Sequence, residues 1–351
     1  MIYPLKFKPL YKDYIWGGRE LESLGKILPE GKIAESWEVS SHKDGDCIVS
    51  NGELEGISLS EAVKKLGREL IGTALPEKDV EKFPLLIKLI DANDKLSVQV
   101  HPKDEYAKVN ENGELGKNEM WYIVAAKPGA KIVYGVAAGV TKESFAKAVA
   151  ADNIEQCLNY LEVSAGDTVN IPAGLIHAIG EGILIAEIQQ NSNTTYRVYD
   201  YNRMDAQGNK RPLHINKALE VIDFNNCDIQ GKQKGLKLKL GATSEKEYLL
   251  ANEYFSVEKY EIEGKIDEAT DGSRFYTLSC LEGKGEISYK GGAETLEKGE
   301  SILLPATLGK YSISGKLKLV KASVPDVEKD VICTLKDAGY SIEEIKTNVI
   351  G

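Results

Sequence analysis

A mainly β protein of barrel or jelly-roll type, carrying a few short helices, is the fold class that the sequence predicts. Three observations predict it. Strand-length apolar or alternating segments outnumber helical ones, the helical patterns are short, and one strand-and-turn pattern occurs twice.

In chain order, Ser58-x-x-Glu61 is a capping-box pattern ahead of Leu59, Ala62, Val63, Leu66 and Leu70, which share one helical face. It predicts a small helical decoration over about 58–82. Residues 85–101, LLIKLIDANDKLSVQVH, give an apolar run, a DAND turn, and alternation through Leu96, Val98 and Val100. Residues 120–136 read as two strands around the Lys127-Pro128-Gly129 turn. A second helical decoration is expected over 141–161, and more strands at 236–240, 285–292 and 316–320.

The repeat pairs GDTVNIPAGLIH (166–177) with GESILLPATLGK (299–310). Both read Gly, acid, four residues, Pro, Ala, and Lys310 stands where His177 stands. Two related β domains follow, the ligand chemistry kept in the first. The length of 351 residues agrees with two domains. Residues 203–230, turn-rich and then helical in pattern, place the division at 1–225 and 226–351.

A net charge of −10 excludes a sequence-independent nucleic-acid binder, yet two or three local cations would hold a small anion. Cys47, Cys157, Cys227, Cys280 and Cys333 are scattered, odd in number and form no CxxC, which reads as small core residues in a reducing compartment. With no signal pattern and no apolar run approaching 18 residues, a cytoplasmic protein without membrane contact is expected.

The chemistry concentrates in scarce residue types. The chain has 4 histidines. Ser97, Gln99 and His101 lie at i, i+2 and i+4 of a strand and point to one face; Lys117 and Glu119 share the same spacing. Gln99, His101, Glu119 and His177 therefore offer two imidazoles, an amide and a carboxylate, a set suited to zinc or another borderline divalent ion. Each alone reads as readily as a hydrogen-bonded core or surface residue; as a polar comb inside apolar strands they need partners. Downstream, Glu187 follows an apolar strand, Arg197 lies ten residues on, and QNSNTTY between them offers amides and hydroxyls for a sugar or phosphate, or a surface hairpin with an ordinary salt bridge.

The frame Gly166-Asp167-x₄-Pro172-x-Gly174-x₂-His177 resembles a cupin motif. With SVQVHP, KNEMWYI, AESWEVSSH and NTTYRVYDYNR, the chain resembles the type I mannose-6-phosphate isomerases (phosphomannose isomerases) of the compact bacterial class, from Tyr14-Ile15-Trp16-Gly17 to about His214 and more loosely beyond. Only 58 residues separate Glu119 from His177, so the helical insertion of longer relatives is expected to be absent. The resemblance implies two cupin-like jelly-roll barrels and one zinc ion per chain on Gln99, His101, Glu119 and His177. It also implies an active-site Arg197 with Glu187 and Lys117 nearby, and Trp16 and Ser97 in the substrate pocket. Glu38 stands where longer relatives carry another residue, and the roles of Glu35 and His42 stay open.

The implied reaction interconverts mannose 6-phosphate and fructose 6-phosphate by proton transfer between C1 and C2 through an enediol(ate). Glu187 is the candidate base and Arg197 the stabiliser of negative charge; Lys117 or Arg197 would hold the phosphate, since no P-loop is present. The expected partner is a small phosphosugar, and the chain a monomer or weak homo-oligomer. A two-cupin sugar-binding or regulatory protein without turnover, or an isomerase of a different sugar, remains the alternative.

Overall fold

A computed structural model describes residues 2–204, 207–225 and 231–351. Cys227 falls outside them, as does the C-terminal side of the 225/226 division. The architecture is mainly β: sheets of nine, seven and five strands with a two-stranded hairpin, and short helices at the edges.

The seven-stranded sheet is the central layer. Its order is Lys232–Gln233, Thr168–Ile171, Glu119–Ala126, Ile183–Gln190, Leu85–Ala92, Glu35–Val39 and Leu10–Lys12. Leu85–Ala92 is buried along its whole length because both of its faces are covered. Leu85, Ile87 and Leu89 pack with Leu59, Val63 and Leu70 of the first helices and with Phe255, Val257 and Leu303 of the C-terminal half. Ile90 and Ala92 pack on the other side with Trp121, Ile123, Ile185, Ile132 and Tyr134. The last two belong to the five-stranded sheet, ordered Leu158–Glu162, Lys131–Val136, His177–Ala178, Val98–Val100 and Tyr196–Tyr199. Phe145 of the helix Lys142–Ala150 and Ala218 of the helix Ile215–Val221 close that sheet's outer face.

The nine-stranded sheet is C-terminal except at one edge. Leu5–Lys8 pairs with Ser301–Leu304 on one side and Ile48–Val49 on the other, so the first strand of the chain staples the two sequence halves together. Three long strands, Ser256–Ala269, Tyr276–Tyr289 and Lys310–Ser323, meet at a glycine row: Gly264 opposes Gly315, which opposes Gly285. A Cβ on Gly315 would sit 2.5 Å from the Lys284 carbonyl oxygen, so the strands can cross this closely only without side chains.

Local signals are obeyed where partners are local. Ser58 Oγ accepts from Glu61 N at 3.3 Å, and Glu61 Oε2 accepts from Ser58 N at 2.9 Å, starting the helix Leu59–Leu66. The helical expectation over 141–161 holds for Lys142–Ala150 and a 3-10 turn at Ile154–Cys157, then fails: Leu158–Glu162 is a strand, because it pairs with the open edge of Lys131–Val136. The core reading of the cysteines holds for Cys47, Cys157 and Cys280, whereas Cys333 is exposed.

The repeat is structural as well as textual. Thr168–Ile171 and Ser301–Leu304 are both followed by a turn, and the next strands begin at His177 and Lys310, the equivalent positions. The acid has the same duty in each copy. Asp167 Oδ2 accepts from Ser164 N at 2.8 Å, and Glu300 Oε2 accepts from Glu297 N at 2.9 Å, tying off the turn before the strand. Among the described residues, no helix is long and apolar enough to cross a membrane.

Candidate active site

Register between the two sheets of the first half assembles the site. In the five-stranded sheet a row runs Tyr134, His177, Gln99, Arg197 across four strands. In the seven-stranded sheet a row runs Trp37, Lys88, Glu187, Trp121, Val169 across five. Ile90, Ile123 and Ile185 fill the apolar end of the space between the sheets, and the charged residues occupy the other.

His101, Glu119 and His177 are all buried, and their ligand atoms lie within 4.8 Å of one another. His101 Nε2 is 3.2 Å from Glu119 Oε1, and His177 Nε2 is 3.8 Å from Glu119 Oε2. The remaining ring nitrogens are already committed. His101 Nδ1 is 2.8 Å from the Thr194 carbonyl oxygen, and His177 Nδ1 is 2.8 Å from that of Leu175. A carbonyl only accepts, so each Nδ1 carries the proton and each Nε2 keeps its lone pair. Burial and the neighbouring Lys117 push His101 down to about 3, and burial lowers His177, so both rings are neutral, the form that ligates a metal. His177 Nε2 has no hydrogen-bond partner. Burial would raise Glu119, but Lys117 at 2.8 Å from Oε1 and His101 hold it well below the usual carboxylate range. An unpartnered His177 Nε2, and a His101 Nε2 whose neighbours are Lys117 Nζ at 3.5 Å and Glu119 Oε1, around one buried carboxylate fit a divalent cation of the zinc type.

Beside this cluster lies a cavity of about 250 Å³, lined by Tyr14, Trp16, Glu35, Lys88, Leu96, Ser97, Gln99, Lys117, Asn193, Thr195, Arg197 and Arg211. Its lining carries four cations and one carboxylate, but Lys117, Lys88 and Arg211 are paired with Glu119, Glu187 and Asp200 behind the wall. Among the described residues Arg197 has no carboxylate at ion-pair distance and is the cation left to meet an anion. Arg197 Nε donates to Ser97 Oγ at 3.2 Å, and Ser97 Oγ is 3.4 Å from Gln99 Oε1, which links the guanidinium to the metal-facing strand. Arg211 Nε donates to Asp200 Oδ2 at 2.8 Å. Glu187 lies behind Lys88: its Oε1 is 3.1 Å from Lys88 Nζ and its Oε2 accepts from Trp121 Nε1 at 2.9 Å. Burial and Glu119 raise the Glu187 carboxyl. Burial would lower Lys88, but Glu35 and Glu187 keep it above the ordinary lysine value.

Comparison with known proteins adds an independent line. Residues 4–134 match the model of the phosphomannose isomerase type I catalytic domain, and residues 244–324 that of the mannose-6-phosphate isomerase cupin domain. Mannose-6-phosphate isomerase ManA of Bacillus subtilis is 39% identical over 312 residues, 89% of this chain and 96% of its own. The chain belongs to the type I phosphomannose isomerase family. Another member, the probable mannose-6-phosphate isomerase GmuF of the same organism, is 41% identical over 90% of this chain and 97% of its own. The crystal structure of the Bacillus subtilis mannose 6-phosphate isomerase superposes with a TM-score of 0.84 at 35% identity, covering 91% of this chain and 99% of that one. A phosphomannose isomerase variant from Salmonella typhimurium shares the fold, with a TM-score of 0.74 at 15% identity over 91% of this chain and 98% of that one.

Within this phosphomannose isomerase scaffold, the structure brings together His101, Lys117, Glu119 and His177, with Gln99, Trp16, Ser97 and Arg197 in the cavity wall, Gln99 pairing with His177 across the strands, and Glu187 one side chain back. Glu35 joins the wall. His42 stands apart, buried edge-on against Trp37 with Nε2 3.5 Å from Glu114, and His214 Nδ1 accepts from Arg197 N at 3.2 Å. The run QNSNTTY is mostly not ligand-facing: Gln190, Asn191 and Ser192 are buried and bonded within the protein, and Asn193 and Thr195 alone of the run reach the cavity. Sequence reasoning missed Lys88, Trp37, Trp121, Tyr14 and Arg211. Lys88 carried a signal, a lone charge inside the apolar run LLIKLI; Arg211, in a polar loop, carried none.

Proposed function

We propose that the chain interconverts mannose 6-phosphate and fructose 6-phosphate, with one zinc ion per chain on Gln99, His101, Glu119 and His177. The observation that carries this reading is the buried cluster of His101, Glu119 and His177, in which His177 Nε2 is unspent, beside a cavity that presents Arg197. Family membership supports the substrate class. The same reading keeps the division into 1–225 and 226–351, with the chemistry in the first unit.

When bound, zinc supplies Lewis-acid polarisation and a fixed anchor for sugar oxygens. The protein does the rest. Arg197 attracts the phosphosugar, braced by Ser97 so that its guanidinium faces the negative oxygen of the enediolate. Trp16 and Tyr14, with ring centroids 5.7 Å apart, form the aromatic part of the wall and exclude water. Glu187 is the candidate base, and from its place behind Lys88 it serves only in a substrate-bound arrangement in which it reaches the sugar carbon. A carboxyl raised by burial takes a proton from one carbon and returns it to the next more readily than an ordinary one. Trp121 Nε1 and Lys88 hold it in place, and Lys88 is the group through which it borders the cavity.

The test is a coupled assay of mannose 6-phosphate conversion on protein as isolated, after chelation, and after zinc is returned. Activity lost and then restored is expected. Zinc-loaded, folded protein that binds mannose 6-phosphate without converting it would shift the reading to a sugar-binding protein. Run in deuterated water, the same assay should place solvent deuterium in the product; its complete absence under reversible turnover would exclude the enediol route.

A further inference from the structure

Lys117 and Glu119 serve the metal-ready cluster, but Asn118 between them makes none of their contacts. Its backbone N and its Nδ2 both donate to Gln190 Oε1, at 3.0 and 2.8 Å, and its carbonyl oxygen accepts from Gln190 N at 3.2 Å. Its own Oδ1 accepts from Ala173 N at 2.9 Å, in the turn that leads to His177. Gln190 Nε2 donates to Asp104 Oδ1 at 3.0 Å, and the same oxygen accepts from Gly116 N at 2.7 Å. The backbone closes the circuit: Lys117 N donates to Pro102 O at 3.1 Å, and Gly174 N to His101 O at 2.9 Å. Gly116 is what lets these segments meet, since a Cβ there would lie 2.5 Å from Asp104 N.

These bonds join the three segments that carry His101, Glu119 and His177, and none of them uses a ligand atom. We infer that Asn118 and Gln190 are positioning residues for the metal, an amide clamp that fixes the spacing of the three ligands before the ion arrives. Metal sites depend on such outer contacts because ligands held in place lose little freedom on binding. The inference rests on the metal reading above.

The experiment measures zinc dissociation constants by chelator competition for wild type, Asn118→Ala, Gln190→Ala and the double variant. Asn159→Ala is the control, since Asn159 Nδ2 donates to Val136 O at 2.7 Å and joins none of the three ligand-bearing segments to another. Each single clamp variant should bind zinc about 10- to 100-fold more weakly. The double variant should fall within roughly threefold of the weaker single, because one substitution already opens the clamp. Asn118→Asp keeps the acceptor for Ala173 N but loses the Nδ2 donor; it should weaken binding less, and it carries the test if Asn118→Ala does not fold. Clamp variants that bind zinc within twofold of wild type while losing as much thermal stability as Asn159→Ala would overturn the inference. A folded wild type that takes up no stoichiometric zinc would overturn the metal reading and the clamp with it.

Discussion

The two β interiors of this protein bury the same kind of group and treat it in opposite ways. In the first, Glu119 is approached by Lys117, His101 and His177, yet His177 Nε2 has no hydrogen-bond partner. In the second, Glu268 accepts from Tyr260 Oη and Tyr311 Oη, each at 2.6 Å, and pairs with Lys321 at 2.6 Å. Lys321 Nζ also lies 4.1 Å from the centre of the Tyr276 ring. A buried polar atom left unpaired is costly, so an interior that keeps one is built to receive something else. An interior that spends every donor is a structural network. Both halves repeat one turn and strand; what separates them is whether the charge they bury is finished internally.

The same substitution in both places should break this comparison most visibly. Glu119→Gln keeps the shape but removes the charge and a ligand. On the proposed metal reading, loss of several kcal/mol of transition-state stabilisation should lower kcat/KM by about a thousandfold, with zinc content falling in parallel. Glu268→Gln should leave kcat/KM of the folded protein within about twofold. It strands the Lys321 ammonium, however, and breaking one side of a buried pair should cost about 3 kcal/mol in urea unfolding. A Glu268→Gln variant of full stability, or one whose activity drops with that of Glu119→Gln, would mean that the two interiors are not different in kind.

Acid titration sharpens the contrast. Burial alone would raise the Glu268 carboxyl, but Lys321, Tyr260 and Tyr311 hold it down at about 2, from an ordinary 4.5. A depressed folded value means that the unfolded chain takes up the proton first as pH falls. The stability contributed by Glu268 is therefore complete above about pH 4.5 and drains away between there and about pH 2. Unfolding free energies of wild type and Glu268→Gln should differ by a constant amount from pH 7 down to about 5 and converge near pH 2. A gap that persists at pH 2 would assign the loss to packing.

The first interior was far more legible from sequence than the second, for a physical reason. Histidines are scarce here, and His101 and Glu119 each sit two residues from another polar side chain, so a strand's period of two reveals a shared face. Glu268, Lys321, Tyr260 and Tyr311 are ordinary types in ordinary strands, joined by pairings such as Glu268 with Tyr311 across 43 residues of chain. Trp37 and Trp121 were hidden in the same way, and Lys88, though conspicuous as a lone charge in LLIKLI, gave no sign of its partner, since all three align with Glu187 only through strand registers set by the whole sheet. The amides of Gln190 and Asn191 read either as sugar ligands or as part of a surface hairpin, and they are neither, being buried and bonded within the protein, because composition does not say which side of a strand end faces solvent. The helical decoration expected over 141–161 stops at Cys157 because Leu158–Glu162 answers a sheet edge that no local pattern records.

The smallest expected effect belongs to the position where the repeat comes closest to suggesting a second site. Lys310 occupies the place of His177, so Lys310→His restores the residue that the first copy has there. It should do almost nothing. Lys310 is exposed, and it pairs across the strand with Ala269 rather than with an amide, as His177 does with Gln99. All 4 histidines of the chain precede residue 215, so no second imidazole is at hand. On the proposed reading of one zinc per chain, Lys310→His should leave the zinc content unchanged, and its stability should shift by no more than about 0.5 kcal/mol, as for a surface substitution. A second equivalent of zinc would show that the turn alone sets ligand position. One equivalent would show that the partners brought by neighbouring strands decide it.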